Sequence, residues 1–148
     1  MSEGVLHSNR DLYLELVESL KASGYDMCVD VTAVDYLKLP TRELPYGINP
    51  ERFEVVTNLL SLTNKVRARI RVQIPADNPV CPSVVSLYPG AEAMEREVFD
   101  LMGIRFSEHP DLTRILMPED WEGHPLRKDY EQGKVPVQFK YPVSLRPS

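Results

Sequence analysis

The sequence predicts an α+β domain: an N-terminal helix, an antiparallel three-stranded meander, a second helix, a short extra strand and a long irregular C-terminal arm. Three observations lead there. Apolar residues recur at helical spacing in two separate stretches. Between those stretches lie three runs with strand-like patterning. After residue 105 both periods fade, and six of the 13 prolines fall in the last 44 residues. The division read from this is a core over 1–117 and an arm over 118–148.

The first helix is expected over 8–23. Ser8 or Asn9 supplies the cap, Asp11 sits in the first turn, and Leu12, Leu16 and Leu20 with Tyr13 and Val17 form one apolar stripe. Gly24 is placed to stop it. Strands are expected over 28–36, 52–62 and 66–74. The first alternates Val29, Val31 and Ala33 against Asp30, Thr32 and Val34. The second is apolar on both faces, so both faces are covered. The third has the cleanest alternation, with Val66, Ala68, Ile70, Val72 and Ile74 on one side and Arg67, Arg69, Arg71 and Gln73 on the other. Thr63-Asn64 fits the hairpin between the last two, Asn taking positive φ. The arginine row reads either as a solvated face paired with carboxylates across the strand or as a docking face.

Residues 37–51 and 76–90 are punctuated by proline and read as irregular. A second helix follows over 91–103, with Met94, Val98, Leu101 and Met102 as its apolar side and Gly103 ending it. Arg96 stands four residues from both Glu92 and Asp100, an intrahelical clamp. Residues 113–117, TRILM, read as the short extra strand.

Composition narrows the function. The chain has 148 residues, 43% hydrophobic and 26% charged, with a net charge of −5. That balance opposes nucleic-acid binding, which needs a basic face. Cys28 and Cys81 lie far apart; one disulfide or two free thiols both fit. They are too few for an iron–sulfur cluster, which takes about four thiolates. No apolar run approaches the ~18 residues of a membrane span, and the first ten residues lack the apolar stretch of a signal peptide.

Residues 109–130, HPDLTRILMPEDWEGHPLRKDY, gather the titratable groups. His109 and His124 are separated by prolines at no known metal-ligand spacing. No nucleophile motif or glycine-rich phosphate loop is present, and Glu95 and Glu97 lie on different helix faces. A catalytic centre is therefore not expected. Trp121, Tyr130, Phe139, Tyr141, Arg114 and Arg127 are of the kinds that dominate interfaces. The two arginines offer planar forks for carboxylates. Residues 131–148 read as an extended strap or a disordered tail.

The run EREVFDLMGIRFSEHPDLTRILMPEDWEGHPLRKDY over 95–130 resembles the signature of the 30-kilodalton subunit family, the C subunit, of NADH-quinone oxidoreductase (respiratory complex I). DVTAVDY at 30–36 and PSVVSLYPGAEAMERE at 82–97 are similar to the family as well. The resemblance carries Glu95, Arg96, Glu97 and Asp100 as the helix signature. His109, Pro110, Arg114, Pro118, Asp120, Trp121, Gly123 and Pro125 belong to the irregular run, and Leu126, Arg127, Lys128, Asp129 and Tyr130 close it. These residues divide between core and partner contact.

It implies an α+β subunit with no catalytic residue, no cofactor and no metal of its own. It implies a peripheral place on the cytoplasmic side of the cell membrane, reached only through the complex. The expected partners are the D, B and I subunits, along which the arm lies. FMN, iron–sulfur clusters and quinone belong to other subunits, and the contribution to proton-coupled electron transfer is to hold them in place. The alternatives are the equivalent subunit of an F420H2 dehydrogenase, an energy-converting hydrogenase or the photosynthetic NDH complex, or a stand-alone metalloenzyme using His109, His124 and Asp129.

Overall fold

The computed structural model describes residues 2–131. The elements run β1 (Ser2–Ser8), α1 (Arg10–Ala22), β2 (Met27–Asp35), β3 (Phe53–Ser61), β4 (Val66–Ile74), β5 (Val80–Pro82), α2 (Ala91–Met102) and β6 (Arg105–Ser107). The α+β class holds, and β2, β3 and β4 form the expected antiparallel meander. The sheet is one strand wider than expected. Its order is β1-β4-β3-β2, with β1 parallel to β4.

α1 starts where Asn9 Oδ1 accepts from the Leu12 amide at 3.1 Å, so the cap is Asn9 rather than Ser8. Its buried line runs through Tyr13 and Val17, both fully enclosed, while Leu12 is exposed. The Tyr13 hydroxyl meets Thr57 Oγ1 at 2.7 Å across the core. That bond lets a phenol sit in the interior without losing a partner.

Phe53, Val55, Thr57 and Leu59 of β3 lie opposite Ile74, Val72, Ile70 and Ala68 of β4. All eight are buried, so the alternation read in β4 is the core face. On β2 the pairing is irregular between Cys28 and Asp30. Val29 sits at that irregularity and is exposed, so it leaves the line of Val31 and Ala33. The β3–β4 turn spans 62–65, and the positive φ falls on Lys65 rather than Asn64. Both cysteines are free thiols, Cys81 fully buried.

The arginine row is not uniform. Arg71 makes a fork with Glu54, Nε to Oε1 at 2.8 Å and Nη2 to Oε2 at 3.1 Å. Gln73 Nε2 adds a third donor to Glu54 at 2.8 Å, which buries Gln73 on the face expected to be solvated. Arg69 Nε donates to Asn58 Oδ1 at 3.1 Å. The cross-strand carboxylate reading therefore holds for Arg71.

α2 packs against β2. Residues 113–117 are not a strand; the short strands are β5 and β6, paired parallel. The strap or tail read over 131–148 falls, beyond Glu131, outside the described residues.

Candidate functional site

The last turn of α2 organises the irregular run that follows it. Asp100 is fully buried. Its Oδ2 accepts three successive amides, Ile115 at 3.1 Å, Leu116 at 2.7 Å and Met117 at 2.8 Å. Its Oδ1 accepts from Arg114 Nη1 at 2.8 Å. This is why TRILM is not a strand: the amides of its last three residues are turned onto one carboxylate and cannot serve a ladder. Burial pulls the Asp100 carboxyl upward, but the amides of Met117, Leu116 and Ile115 with the Arg114 guanidinium outweigh it and hold the group below its ordinary value. The expected Arg96–Asp100 clamp does not form. Arg96 keeps Glu92 at 3.6 Å and turns to the Thr113 and Arg114 carbonyls at 3.1 and 3.0 Å.

The C-terminus of α2 is closed by residues from the far end of the run. Gly103 takes φ +75, the left-handed cap that a helix end favours. Arg127 Nε donates to the Met102 carbonyl at 2.7 Å, and the Leu126 amide to the Leu101 carbonyl at 2.9 Å. His124 Nδ1 lies 2.9 Å from the Asp100 carbonyl. Burial, with Arg127 and Arg114 nearby, lowers the His124 pKa. The neutral ring then donates from Nδ1. Arg127 does not present its fork to a carboxylate, as its planar geometry suggests; it caps helix carbonyls.

A second anchor sits at the end of β2. Asp35 accepts Arg52 through both oxygens at 2.9 Å and the Lys128 amide at 2.8 Å. Arg52 also reaches Asp129 at 2.8 Å. The guanidiniums of Arg52 and Arg127 both lie over the Phe53 ring, 4.8 and 5.2 Å from its centroid. Asp35 lies within the DVTAVDY stretch but Arg52 does not stand out in the sequence, and their pairing is hidden because the partners lie far apart along the chain. Trp121 Nε1 donates to the Tyr130 hydroxyl at 3.1 Å.

Glu95, on the other side of α2, is fully buried. It accepts Ser83 Oγ at 2.6 Å and the Val84 amide at 2.8 Å. Burial still raises its pKa. His109 Nε2 stands 4.0 Å from Glu95 and 3.1 Å from the Glu92 carbonyl, while Nδ1 accepts the Asp111 amide at 3.0 Å. That arrangement puts the ring proton on Nε2. Ser83 is a partner that sequence reasoning missed.

Of the other signature residues, Pro125 is half-buried, while Glu97, Pro110, Pro118, Asp120, Gly123, Leu126, Lys128 and Asp129 are exposed. A recess of 230 Å³ brings His124, Arg127, Asp129 and Tyr130 together beside the arm. No group of three or more histidine, cysteine or carboxylate side chains suited to a metal occurs among the described residues.

This geometry defines a class: a small α+β module whose signature side chains hold its own irregular arm. The comparisons with known proteins give the family. The respiratory-chain NADH dehydrogenase, 30 Kd subunit family matches residues 6–136, and the chain belongs to it. It is 44% identical over 141 residues to the C subunit of the NADH-quinone oxidoreductase of Saccharopolyspora erythraea, covering 93% of this chain and 53% of that one. The chain spans about half the length of the first curated relatives it matches. Its fold is similar to the trypsin-resistant fragment (1-134) of Nqo5, with a TM-score of 0.67 and 35% identity over 76% of this chain and 84% of that one. A chain of an archaeal respiratory membrane complex, the membrane-bound sulfane sulfur reductase, shares the fold with a TM-score of 0.73. It is 24% identical over 89% of this chain and 74% of that one. No helix among the described residues is long and apolar enough to cross a membrane.

Proposed function

We propose that this chain is a non-catalytic scaffold of the peripheral arm of a membrane-bound NADH-quinone oxidoreductase. In this reading it docks against the quinone-site D subunit and the cluster-bearing B and I subunits, on the cytoplasmic side of the membrane. FMN, iron–sulfur clusters and quinone reside in those and other subunits. The chain's part in proton-coupled electron transfer is to keep redox partners at fixed separation.

One observation carries the reading. Glu95, Arg96, Asp100, His109, Arg114, His124 and Arg127 each bond backbone atoms of this same chain. Side chains so engaged stabilise a shape; a reacting centre needs groups that converge on a substrate. The relatives are C subunits of NADH-quinone oxidoreductases, which supports a place in such a complex. A second reading keeps the role and changes the machine, because the fold recurs in the archaeal sulfane sulfur reductase complex.

The test is purification of the full chain, affinity-tagged, from detergent-solubilised membranes. The expected companions are the D, B and I subunits with NADH-binding subunits. Hydrogenase-type companions would favour the second reading. A chain that purifies alone and turns over a substrate, or carries its own stoichiometric metal, would overturn both.

A further inference from the structure

The run after α2 is pinned at its backbone and apolar at its surface. Asp100 and Arg96 fix the main chain of 113–117, yet Ile115 and Leu116 remain 40% and 61% exposed. Leu126, whose amide is held by the Leu101 carbonyl, is 56% exposed. A loose loop would fold such side chains onto the nearest apolar surface. Here the hydrogen bonds prevent that, and the side chains are presented to solvent on a rigid frame.

Along the chain on either side of Ile115 and Leu116 the exposed charge has one sign, whereas Leu126 is followed by the exposed Lys128. Residues 108–122 expose five carboxylates, Glu108, Asp111, Glu119, Asp120 and Glu122. The only arginine or lysine in the segment, Arg114, is turned inward onto Asp100. None of the five side chains is paired with a described residue. We propose that this face docks a partner protein whose surface offers an apolar pocket flanked by lysine or arginine. The inference rests on the subunit reading above and adds the chemistry of the surface that meets it.

The exposed carboxylates favour a basic protein over other occupants. An anionic membrane or a nucleic acid would be repelled by the carboxylates. A second copy docking through the same face would set acid against acid. A pre-ordered apolar pair loses little freedom on docking, which is what makes a small exposed patch an effective anchor. The carboxylates then fix register and speed encounter.

The experiment uses the assembly purified through the tagged full chain. A water-soluble carbodiimide joins carboxylates to amines in direct contact, and mass spectrometry locates the links. The expected result is a link from one or more of the five carboxylates to a lysine of a companion protein. A Glu119→Gln/Asp120→Asn/Glu122→Gln variant and an Ile115→Ser/Leu116→Ser variant should both lower retention of that companion in a high-salt wash by about tenfold. Melting of the isolated variants checks that these exposed changes leave the fold intact. Links only to Lys134 or Lys140 of the same chain would mean its own terminal segment covers the face, and would overturn the proposal. So would carboxylates that react with an added amine as fast in the assembly as in the free chain. Either outcome leaves the subunit reading standing. A chain found in no assembly removes both.

Discussion

Arg114 and Asp100 meet at 2.8 Å with the Asp100 side chain entirely out of solvent, and the same carboxylate gathers the amides of residues 115–117. One group at the end of α2 thus shapes a stretch of backbone that has no ladder of its own. Asp100→Ala leaves three amides and a guanidinium without their acceptor. The expected loss is about 3–5 kcal/mol, the cost of breaking a buried pair from one side. Asp100→Asn should lose less, because its oxygen still serves the amides while its NH₂ faces Arg114. Urea unfolding of the isolated chain measures both. A loss under about 1 kcal/mol for the alanine variant would show that water replaces the carboxylate.

Gly103 is enclosed by the arm that caps α2. A Cβ there would stand 2.5 Å from Arg127 Nη2 and 2.6 Å from His124 Cδ2, at φ +75. Gly103→Ala therefore strains the backbone and pushes out both capping side chains. The expected destabilisation is about 1–3 kcal/mol, with faster protease cleavage within residues 124–131. Unchanged cleavage would mean the arm is held by Asp35 and Arg52 alone.

Arg127→Ala tests the same cap without backbone strain. Arg127 donates to the Met102 carbonyl at 2.7 Å and lies over Phe53, so its loss should destabilise the isolated chain by about 1–3 kcal/mol. Lysine restores a charge but not the planar fork, and should recover only part of the loss. A variant that melts like the parent alone, yet fails to assemble, would return Arg127 to the role of a partner contact.

Local periodicity made α2, β3 and β4 legible. Ala68, Ile70, Val72 and Ile74 alternate cleanly because one face of β4 is core and the other bears the arginines. β1 left no such signal. Gly4, His7 and its serines do not alternate, and the strand exists because a parallel partner lies about sixty residues away. Spacing also misled: Arg96 and Asp100 are four apart and of opposite charge, yet Asp100 finds stronger donors in the amides of 115–117. Ile115, Leu116 and Met117 look like strand residues for the same local reason, and a distant carboxylate overrides it. The His109 and His124 partners in α2 were equally invisible, because backbone carbonyls carry no sequence label.

Trp121 is the only tryptophan, and its indole NH is held by the Tyr130 hydroxyl at 3.1 Å. Its emission therefore reports the arm. Tyr130→Phe removes the acceptor and should cost about 0.5–1.5 kcal/mol, with a red shift as the indole gains water. Asp100→Ala should shift the same emission at denaturant concentrations below global unfolding, because Arg114 then loses its hold beside Gly123. An indole signal that moves only with the global transition would make the arm and the sheet one cooperative unit.

The buried carboxyls predict opposite responses to pH. Asp35 and Asp100 are held below their ordinary value of 3.8 despite burial, by the Arg52 guanidinium with the Lys128 and Leu37 amides for the first and by the amides of 115–117 and Arg114 for the second. A depressed folded pKa contributes stability that is present above the unfolded value and is lost as pH falls through the folded one. Glu95 has the reverse sign. Burial raises it from 4.5, so its contribution is full below 4.5 and is lost as pH rises through the raised value. Glu95→Gln keeps one acceptor for the Val84 amide and gives Ser83 a donor, while removing the charge. It should flatten the decline in stability that begins above pH 4.5 and leave the acid limb untouched. Asp100→Asn should do the opposite, weakening the acid limb only. Denaturant titrations from acid to neutral pH on the parent and both variants separate the two. If Glu95→Gln retains the parent's slope above 4.5, the Glu95 carboxyl is solvated in the folded chain and its pairing with Ser83 and Val84 does not survive in solution.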